Sequence, residues 1–184
     1  MKKTFILLFL ILSFLSCSSS FELSNDIVKQ SYLIPDRSIN LSDKKITWFV
    51  DLNSYMTWTE VNNIYLNNNN IELVDVWEFE MLWKLDISNN NIRFISDLQL
   101  PLTIRHLNLS HNNLTNLKGI EKFTKLKTLD ISFNNLQESD IKLSWLDNLK
   151  YVNIEWNEIW LDMLTKFSQF NSTYLSNNKK PFSK

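Results

Sequence analysis

Glycine and cysteine are almost missing from this sequence of 184 residues, which contains one of each. Gly119 alone cannot build the glycine-rich loop that cradles a phosphate group. Cys17 alone excludes a disulfide bond within the chain. Phosphate binding by such a loop and stabilisation by an internal disulfide are therefore both excluded.

Histidine is scarce as well, because His106 and His111 are the only two in the sequence. They are five residues apart, so they need not face the same way, and no metal-ligand spacing of a known type surrounds them. With Asp86 or Asp130 they could form a weak metal site. We expect no catalytic residues, no bound metal and no cofactor. A metal-dependent enzyme is the least favoured alternative.

Long hydrophobic runs are also missing. The main one, Phe5 to Phe14, has about ten residues and is too short to span a bilayer stably. Two lysines precede it, and Ser16-Cys17 follows it, an order typical of an export signal. The cysteine after the apolar run resembles the cleavage site of a bacterial lipoprotein, in the relaxed form typical of spirochetes.

This resemblance implies that residues 1–16 are a signal peptide and that Cys17 carries the lipid. Residues 17–32 would form a polar tether, and several acyl chains would hold the protein firmly on a membrane. The expected location is the bacterial cell envelope, at the outer membrane or cell surface. An ordinary secretory signal with an incidental cysteine is the alternative.

The charge balance gives no sign of a nucleic-acid partner. Loss of the signal peptide removes two lysines and leaves 17 basic against 20 acidic residues, a net charge near −3. Proteins that bind nucleic acid usually present an excess of basic residues. We therefore expect no nucleic acid among the partners.

An eleven-residue pattern, L-x-x-L-x-L-x-x-N-x-L, recurs along the chain, and we number its positions 1 to 11. Six copies begin at residues 61, 82, 104, 126, 149 and 170, with spacings of 21, 22, 22, 23 and 21 residues. The last copy, FNSTYLSNNKK, is degraded. A fixed period in this range predicts a solenoid of stacked coils.

The apolar residues of the pattern predict the shape of each coil. Positions 4 and 6 alternate as in a short strand with one buried face. Stacked copies then form a parallel sheet with strands about 4.8 Å apart, so that six strands span about 24 Å. Apolar residues at every third position after Leu114 predict 3₁₀ or extended turns on the opposite side.

Position 9 carries asparagine in every copy. A recurrent buried amide must have hydrogen-bond partners, and we expect it to bond backbone groups of its own coil and of the next. We call these residues the ladder asparagines: Asn69, Asn90, Asn112, Asn134, Asn157 and Asn178.

These features resemble those of leucine-rich repeat proteins, in the 22-residue form found in bacterial internalins, over residues 61–178. The resemblance implies an α/β solenoid, a short horseshoe with a parallel β-sheet on the concave face and 3₁₀ or extended turns on the convex face. Residues 33–60, which include the segment Leu33-Ile34-Pro35-Asp36, would form an N-terminal cap. Residues 179–184 would form a C-terminal tail.

Function is expected on the concave face, because a solenoid offers a binding surface rather than a reactive pocket. Position 8 brings His111, Phe133 and Trp156 side by side, and clustered exposed aromatic residues are typical of binding hot spots. The alternative is that Phe133 and Trp156 only pack on each other and cover the sheet edge. The candidate protein-binding residues are Tyr65, Trp83, His106, His111, Phe133, Tyr151 and Trp156.

A row of basic residues, Arg105, Lys127 and Lys150, accompanies the acidic Asp86 and Asp130 on the same face. A solvated face of alternating charge is the plainer interpretation of this row.

The sequence thus predicts a membrane-anchored leucine-rich repeat protein that binds a protein partner of unknown identity. The resemblance to internalins suggests binding or adhesion to a host surface. The alternative is a periplasm-facing lipoprotein that acts as an envelope scaffold.

Overall fold

The structure is a computed structural model that describes residues 37–53 and 60–159 and the backbone of residues 172–174. The predicted signal peptide, the tether with Cys17, the ladder asparagine Asn178 and the C-terminal tail lie outside these described residues.

Nine short strands and three 3₁₀ turns make up the described chain. The strands are β1 (Ser38–Asn40), β2 (Thr47–Asp51), β3 (Asn63–Tyr65), β4 (Asn70–Asp75), β5 (Lys84–Asp86), β6 (His106–Asn108), β7 (Thr128–Asp130), β8 (Tyr151–Asn153) and β9 (Ser172–Tyr174). The 3₁₀ turns are Ile95–Asp97, Ile120–Lys122 and Glu138–Asp140. No helix within the described ranges is long and apolar enough to cross a membrane.

The main sheet has seven parallel strands in the order β1-β3-β5-β6-β7-β8-β9. Its register places the same pattern position of neighbouring coils side by side, as with Leu85 against Leu107 and Leu107 against Leu129. Because one chain order and one register run through the whole sheet, each row of side chains continues from coil to coil.

The sheet contains one strand more than the six expected from the pattern. β1 lies within the segment predicted as the N-terminal cap, and Ile39 and Leu41 take positions 4 and 6 of an additional coil. Lys44 stands where this coil would carry its asparagine. Asn69 of the following coil accepts hydrogen bonds from the backbone N–H groups of Lys44 and Ile46. The coil therefore stacks without an asparagine of its own, which is why the pattern missed it.

The opposite side of the solenoid is built from extended segments and 3₁₀ turns. β2 and β4 form a separate parallel pair there, with a bulge between Trp48 and Phe49. The three 3₁₀ turns follow in the later coils. The predicted fold, with a parallel sheet on one side and 3₁₀ or extended turns on the other, is confirmed.

The core is a continuous stack of apolar side chains between these two sides. In the fourth copy, Leu126, Leu129, Ile131 and Leu136 are all fully buried. Phe123 precedes them and is buried as well. Each coil therefore contributes the leucine and isoleucine positions of the pattern to one core, as stacked repeats require.

The ladder asparagines within the described ranges connect neighbouring coils. Asn134 Oδ1 accepts a hydrogen bond from the N–H of Leu114, and its Nδ2 donates to the carbonyl oxygens of Leu109, Ile131 and Ser132. Leu109 and Leu114 belong to the preceding coil. The expected bonds within the asparagine's own coil are confirmed, whereas the bonds between coils reach back to the preceding coil rather than forward to the next one.

Candidate protein-binding surface

The residue before each ladder asparagine, at position 8, has a left-handed backbone conformation. The φ angles are 59° at Asn68, 52° at Asn89, 52° at His111, 53° at Phe133 and 58° at Trp156. The chain turns sharply here because the next side chain must point back into the core. Asparagine tolerates this conformation, but large side chains adopt it at a cost of roughly 1–2 kcal/mol.

Three consecutive coils nevertheless carry an aromatic ring at position 8, and these rings form a continuous aromatic stack. The ring centroids of His111 and Phe133 are 4.0 Å apart, with planes at 12°. Those of Phe133 and Trp156 are 5.3 Å apart, with planes at 14°. Each ring thus covers the faces of its neighbours and leaves its edges outward.

The aromatic stack is accessible to solvent. Phe133 is 39% exposed and Trp156 is 42% exposed, although they pack on each other. The rings therefore pack on one another and still present their edges to solvent. The sequence places these rings in one row, but it does not show that their backbone is left-handed.

The middle of the strand face carries a row of hydrogen-bonded polar side chains at positions 5 and 7. Asp130 Oδ1 accepts hydrogen bonds from the backbone N–H and the hydroxyl of Ser132, at 3.0 and 2.7 Å. Asn153 Nδ2 donates to Asp130 Oδ2 at 3.1 Å. Asp86, Ser88 and the side chain of Asn108 repeat the same arrangement two coils earlier.

This row changes the surface expected from the sequence. Strand alternation alone would point the serines at position 7 outward, but Ser88, Ser110 and Ser132 are buried because their hydroxyls bond to the position 5 side chains. Aspartate and asparagine alternate from coil to coil, which separates the negative charges of Asp86 and Asp130. The polar side chains in the middle of the face therefore bond to one another along the sheet.

The opposite side of the strand face is basic. Arg105, Lys127 and Lys150 occupy position 2 of three consecutive coils, and all three side chains are exposed. We call them the basic row. Among the residues that the structure describes, the ion pair within 4 Å is between Arg37 and Glu60, so the basic row is not paired with Asp86 or Asp130.

His106 lies beside the basic row, on β6. Its Nδ1 is 2.8 Å from the hydroxyl of Thr128, and its ring meets Trp83 edge to face at 5.3 Å. Partial burial lowers the pKa of His106 below its ordinary value of 6.5, and the charges of Lys127, Lys84 and Arg105 lower it further. The neutral imidazole is therefore favoured in a locally positive region.

The remaining candidates lie on the same face, Tyr65 and Tyr151 at intermediate exposure and Trp83 exposed. Tyr65 is on β3, and the Nζ of Lys84 lies 5.1 Å from the centroid of its ring. Tyr151 is on β8, in register with Thr128. Trp83 is exposed at the basic side of the face and contacts the ring of His106. The structure thus places all seven candidates on one face, although His106 and His111 lie at different sides of it.

The two histidines of the candidate surface lie in different surroundings. The described ranges contain no group of three or more histidine, cysteine, aspartate or glutamate side chains arranged to hold a metal ion. His106 bonds to Thr128, whereas His111 stacks on Phe133. The two histidines therefore belong to different clusters and do not form one site.

Trp145 is an exposed aromatic residue that lies away from this face and was not singled out from the sequence. Trp145 is 65% exposed and lines an open groove on the opposite side with Lys118, Asp140 and Lys142. Its sequence context, Ser144-Trp145-Leu146, gives no sign of this exposure because the neighbouring Leu146 belongs to the core.

Comparison with known proteins agrees with the repeat pattern. Residues 103–144 match the family model described as leucine-rich repeats in two copies. No curated protein sequence matches the chain. The coordinates are similar to those of an internalin (inlF) from Listeria monocytogenes, with a TM-score of 0.55 and 23% identity over 65% of this chain and 36% of that one.

A second similar structure is an internalin C2 (inlC2) from Listeria monocytogenes, with a TM-score of 0.64 and 20% identity over 78% of this chain and 62% of that one. The chain therefore spans between about one third and three fifths of the length of these two structures. At this level of identity the similarity concerns the fold, which is the leucine-rich repeat solenoid.

Proposed function

We propose that this chain is a lipid-anchored leucine-rich repeat protein of the bacterial envelope that binds a protein partner through its strand face. The aromatic stack of His111, Phe133 and Trp156 is the main contact. The observation that carries this proposal is that large rings occupy three consecutive left-handed positions and remain exposed. Asparagine serves the same turn in the first two copies at lower strain, so the turn itself does not require the rings.

The chemistry of the rings supports protein binding. Phe133 has both faces covered, and His111 and Trp156 each have one face covered, so ring edges form much of the accessible surface. Aromatic edges carry partial positive charge and pack well against apolar side chains, carbonyl oxygens and the faces of other rings. A rigid cluster of this kind matches the aromatic anchors at the centre of protein interfaces.

A matched pair of variants tests the contact. The double variant Phe133→Asn and Trp156→Asn removes both rings while keeping residues that suit the left-handed backbone. Trp145→Ala, on the other side of the solenoid, removes an exposed ring that the proposal does not use. Wild-type and variant full-length chains are immobilised, exposed to envelope and host-surface extracts, and the retained proteins are quantified by mass spectrometry.

We expect at least one protein to bind the wild type and Trp145→Ala, and to bind the double variant more weakly by about 2 kcal/mol or more, about thirtyfold in Kd. Equal retention of every captured protein by the double variant and the wild type would reject the aromatic stack as the contact.

Anchoring by Cys17 rests on the sequence, in which a charged start and a short apolar run precede the lone cysteine. Incorporation of a labelled fatty acid in the producing bacterium, with Cys17→Ala as control, tests it directly. Label that persists in Cys17→Ala, or no label in the wild type, contradicts lipidation at this residue.

Display on the outer surface, where host binding becomes feasible, is the favoured orientation, and a periplasm-facing scaffold is the alternative. The similarity to internalins motivates the first by analogy of fold, and a shared fold does not define a partner. Protease added to intact cells separates them. Cleavage of the chain supports display, and complete protection until the envelope is opened supports the periplasmic scaffold.

A further inference from the structure

We propose that the segment bound on the strand face is acidic, with carboxylates against the basic row and a large apolar side chain against the aromatic stack. This inference rests on the proposed function and adds the chemistry of the partner. It starts from the position of the two rows, because Arg105, Lys127 and Lys150 line one side of the strand face while the aromatic stack lines the other.

The basic row offers three adjacent charges that no described carboxylate neutralises at contact distance. Its members stand on consecutive coils, about 4.8 Å apart, and their side chains are exposed. Lys84 adds a fourth positive charge on the same side, over the ring of Tyr65. The lowered pKa of His106 agrees with a locally positive region, since three of these cations contribute to it.

The dimensions suit a single polypeptide segment. Positions 2 and 8 are six residues apart, so the two rows are separated by at most about 20 Å. An α-helix with its side chains is about 10–12 Å across, and long side chains extend its reach. One segment that lies along the solenoid axis can therefore contact both rows at once.

The middle of the face selects against a uniformly negative polymer. Asp86 and Asp130 lie between the two rows, and their carboxylates already accept hydrogen bonds from serine and asparagine. A nucleic acid would bring regularly spaced phosphates over these carboxylates. A peptide can place its carboxylates against the basic row alone, and neutral or donor groups over Asp86 and Asp130.

The aromatic stack gives a second reason to prefer a peptide over a nucleic acid. Proteins that bind single strands stack bases on the faces of aromatic side chains. Here Phe133 has both faces covered, by His111 on one side and Trp156 on the other. Edges remain, and these suit an apolar side chain better than a base.

Defined probes test this chemistry without knowledge of the natural partner. The first is an acetylated and amidated twelve-residue peptide that carries glutamates along one face of a helix, two phenylalanines on the opposite face and serine elsewhere, and the second replaces every glutamate with glutamine. A single-stranded oligothymidine of twelve nucleotides is the third. Binding to the full-length chain is measured by fluorescence anisotropy at low and high salt, and the ring signals of His106 and Trp156 are followed by NMR.

We expect the glutamate peptide to bind about tenfold or more tightly than the glutamine peptide, and to weaken as salt rises. Arg105→Gln with Lys127→Gln should reduce its affinity at least about fivefold, while the control Lys118→Gln with Lys142→Gln, on the opposite side, should leave it unchanged. The glutamate peptide should also raise the pKa of His106, because it brings carboxylates beside the ring.

Equal affinity for the glutamate and glutamine peptides, no effect of Arg105→Gln with Lys127→Gln, or tighter binding of oligothymidine would each overturn the inference. The proposed function is tested separately by the loss of captured protein in the asparagine double variant. A captured partner whose binding needs Phe133 and Trp156 but not Arg105 and Lys127 would support the proposed function. The same result would reject the inference that the bound segment is acidic.

Discussion

The ring of Trp156 stacks on the ring of Phe133, with centroids 5.3 Å apart and planes at 14°, and both residues have a left-handed backbone. Register explains the contact, since the same position of neighbouring coils lies about 4.8 Å apart. Stacking therefore offsets part of the backbone strain that each ring introduces. It also makes the two positions interdependent, which affects how a substitution at either of them is interpreted.

Two substitutions at Phe133 separate backbone strain from stacking. Phe133→Asn and Phe133→Val both remove the ring from the stack, but only asparagine suits φ near 53°. We expect Phe133→Asn to be more stable than Phe133→Val by about 1–2 kcal/mol. Urea unfolding of both variants, followed by circular dichroism, measures the difference. Equal stability of the two variants would show that the left-handed turn is not maintained in solution.

The fold could be predicted from the sequence because the buried residues that each coil needs recur at a fixed period. Leu129, Ile131 and Asn134 recur at the same positions in every clear copy, so their stacking follows from the period. The coil around β1 was missed because Lys44 occupies its asparagine position, although Asn69 of the following coil bonds back to Ile46 as Asn134 does to Leu114.

The sequence predicted which residues form the row on the candidate surface, but not how their backbone and rings are oriented. The period places His111 beside Phe133, yet the ring planes, the left-handed backbone and the covered ring faces depend on the turn between strand and core. The burial of Ser132 depends on a bond to Asp130 two residues earlier, which the alternation of the strand alone does not reveal. Local side-chain hydrogen bonds decided these details.

The ladder asparagines should be essential for stability. Asn134→Ala removes an acceptor from the buried N–H of Leu114 and a donor from the carbonyl of Leu109. Each buried group left without a partner costs about 1–3 kcal/mol, so we expect a loss of about 3 kcal/mol or more in the free energy of unfolding. Chemical denaturation of the purified protein measures this loss.

The next residue provides a matched control for the ladder. The side chain of Asn135 is exposed, and its position contributes a backbone N–H bond to Leu114 that alanine retains. Asn135→Ala should therefore change stability by less than about 0.5 kcal/mol. A similar loss in both variants would argue that the amide of Asn134 has no special role.

The single glycine has a structural reason that the sequence did not reveal. Gly119 has φ of 99°, and a Cβ at this position would lie 3.0 Å from the Cα of Ser96 in the preceding coil. Gly119→Ala should cost at least about 1–2 kcal/mol, because alanine is strained at this φ and meets backbone atoms that cannot move easily. Thermal unfolding against the exposed control Lys118→Ala tests this. An unchanged melting temperature for Gly119→Ala would contradict the close approach of the two coils.

The titration of His106 reports the positive charge beside the strand face. Burial lowers its pKa most, and Lys127, Lys84 and Arg105 lower it further. The unfolded chain then takes up a proton near pH 6.5 more readily than the folded one. Stability is therefore unaffected by this residue above about pH 6.5, and it decreases as pH falls through the range between the unfolded and the folded pKa.

Neutralising one cation separates the two causes of the lowered pKa of His106, which are burial and nearby positive charge. Lys127→Gln should raise the pKa of His106 but leave it below 6.5, because the effect of burial remains. Lys125→Gln removes a lysine that does not contribute to the shift and should leave the pKa of His106 in place. Proton NMR of the imidazole ring across the titration measures all three values. A pKa of His106 at or above 6.5 in the wild type, or an equal response to both substitutions, would contradict a positive region centred on the basic row.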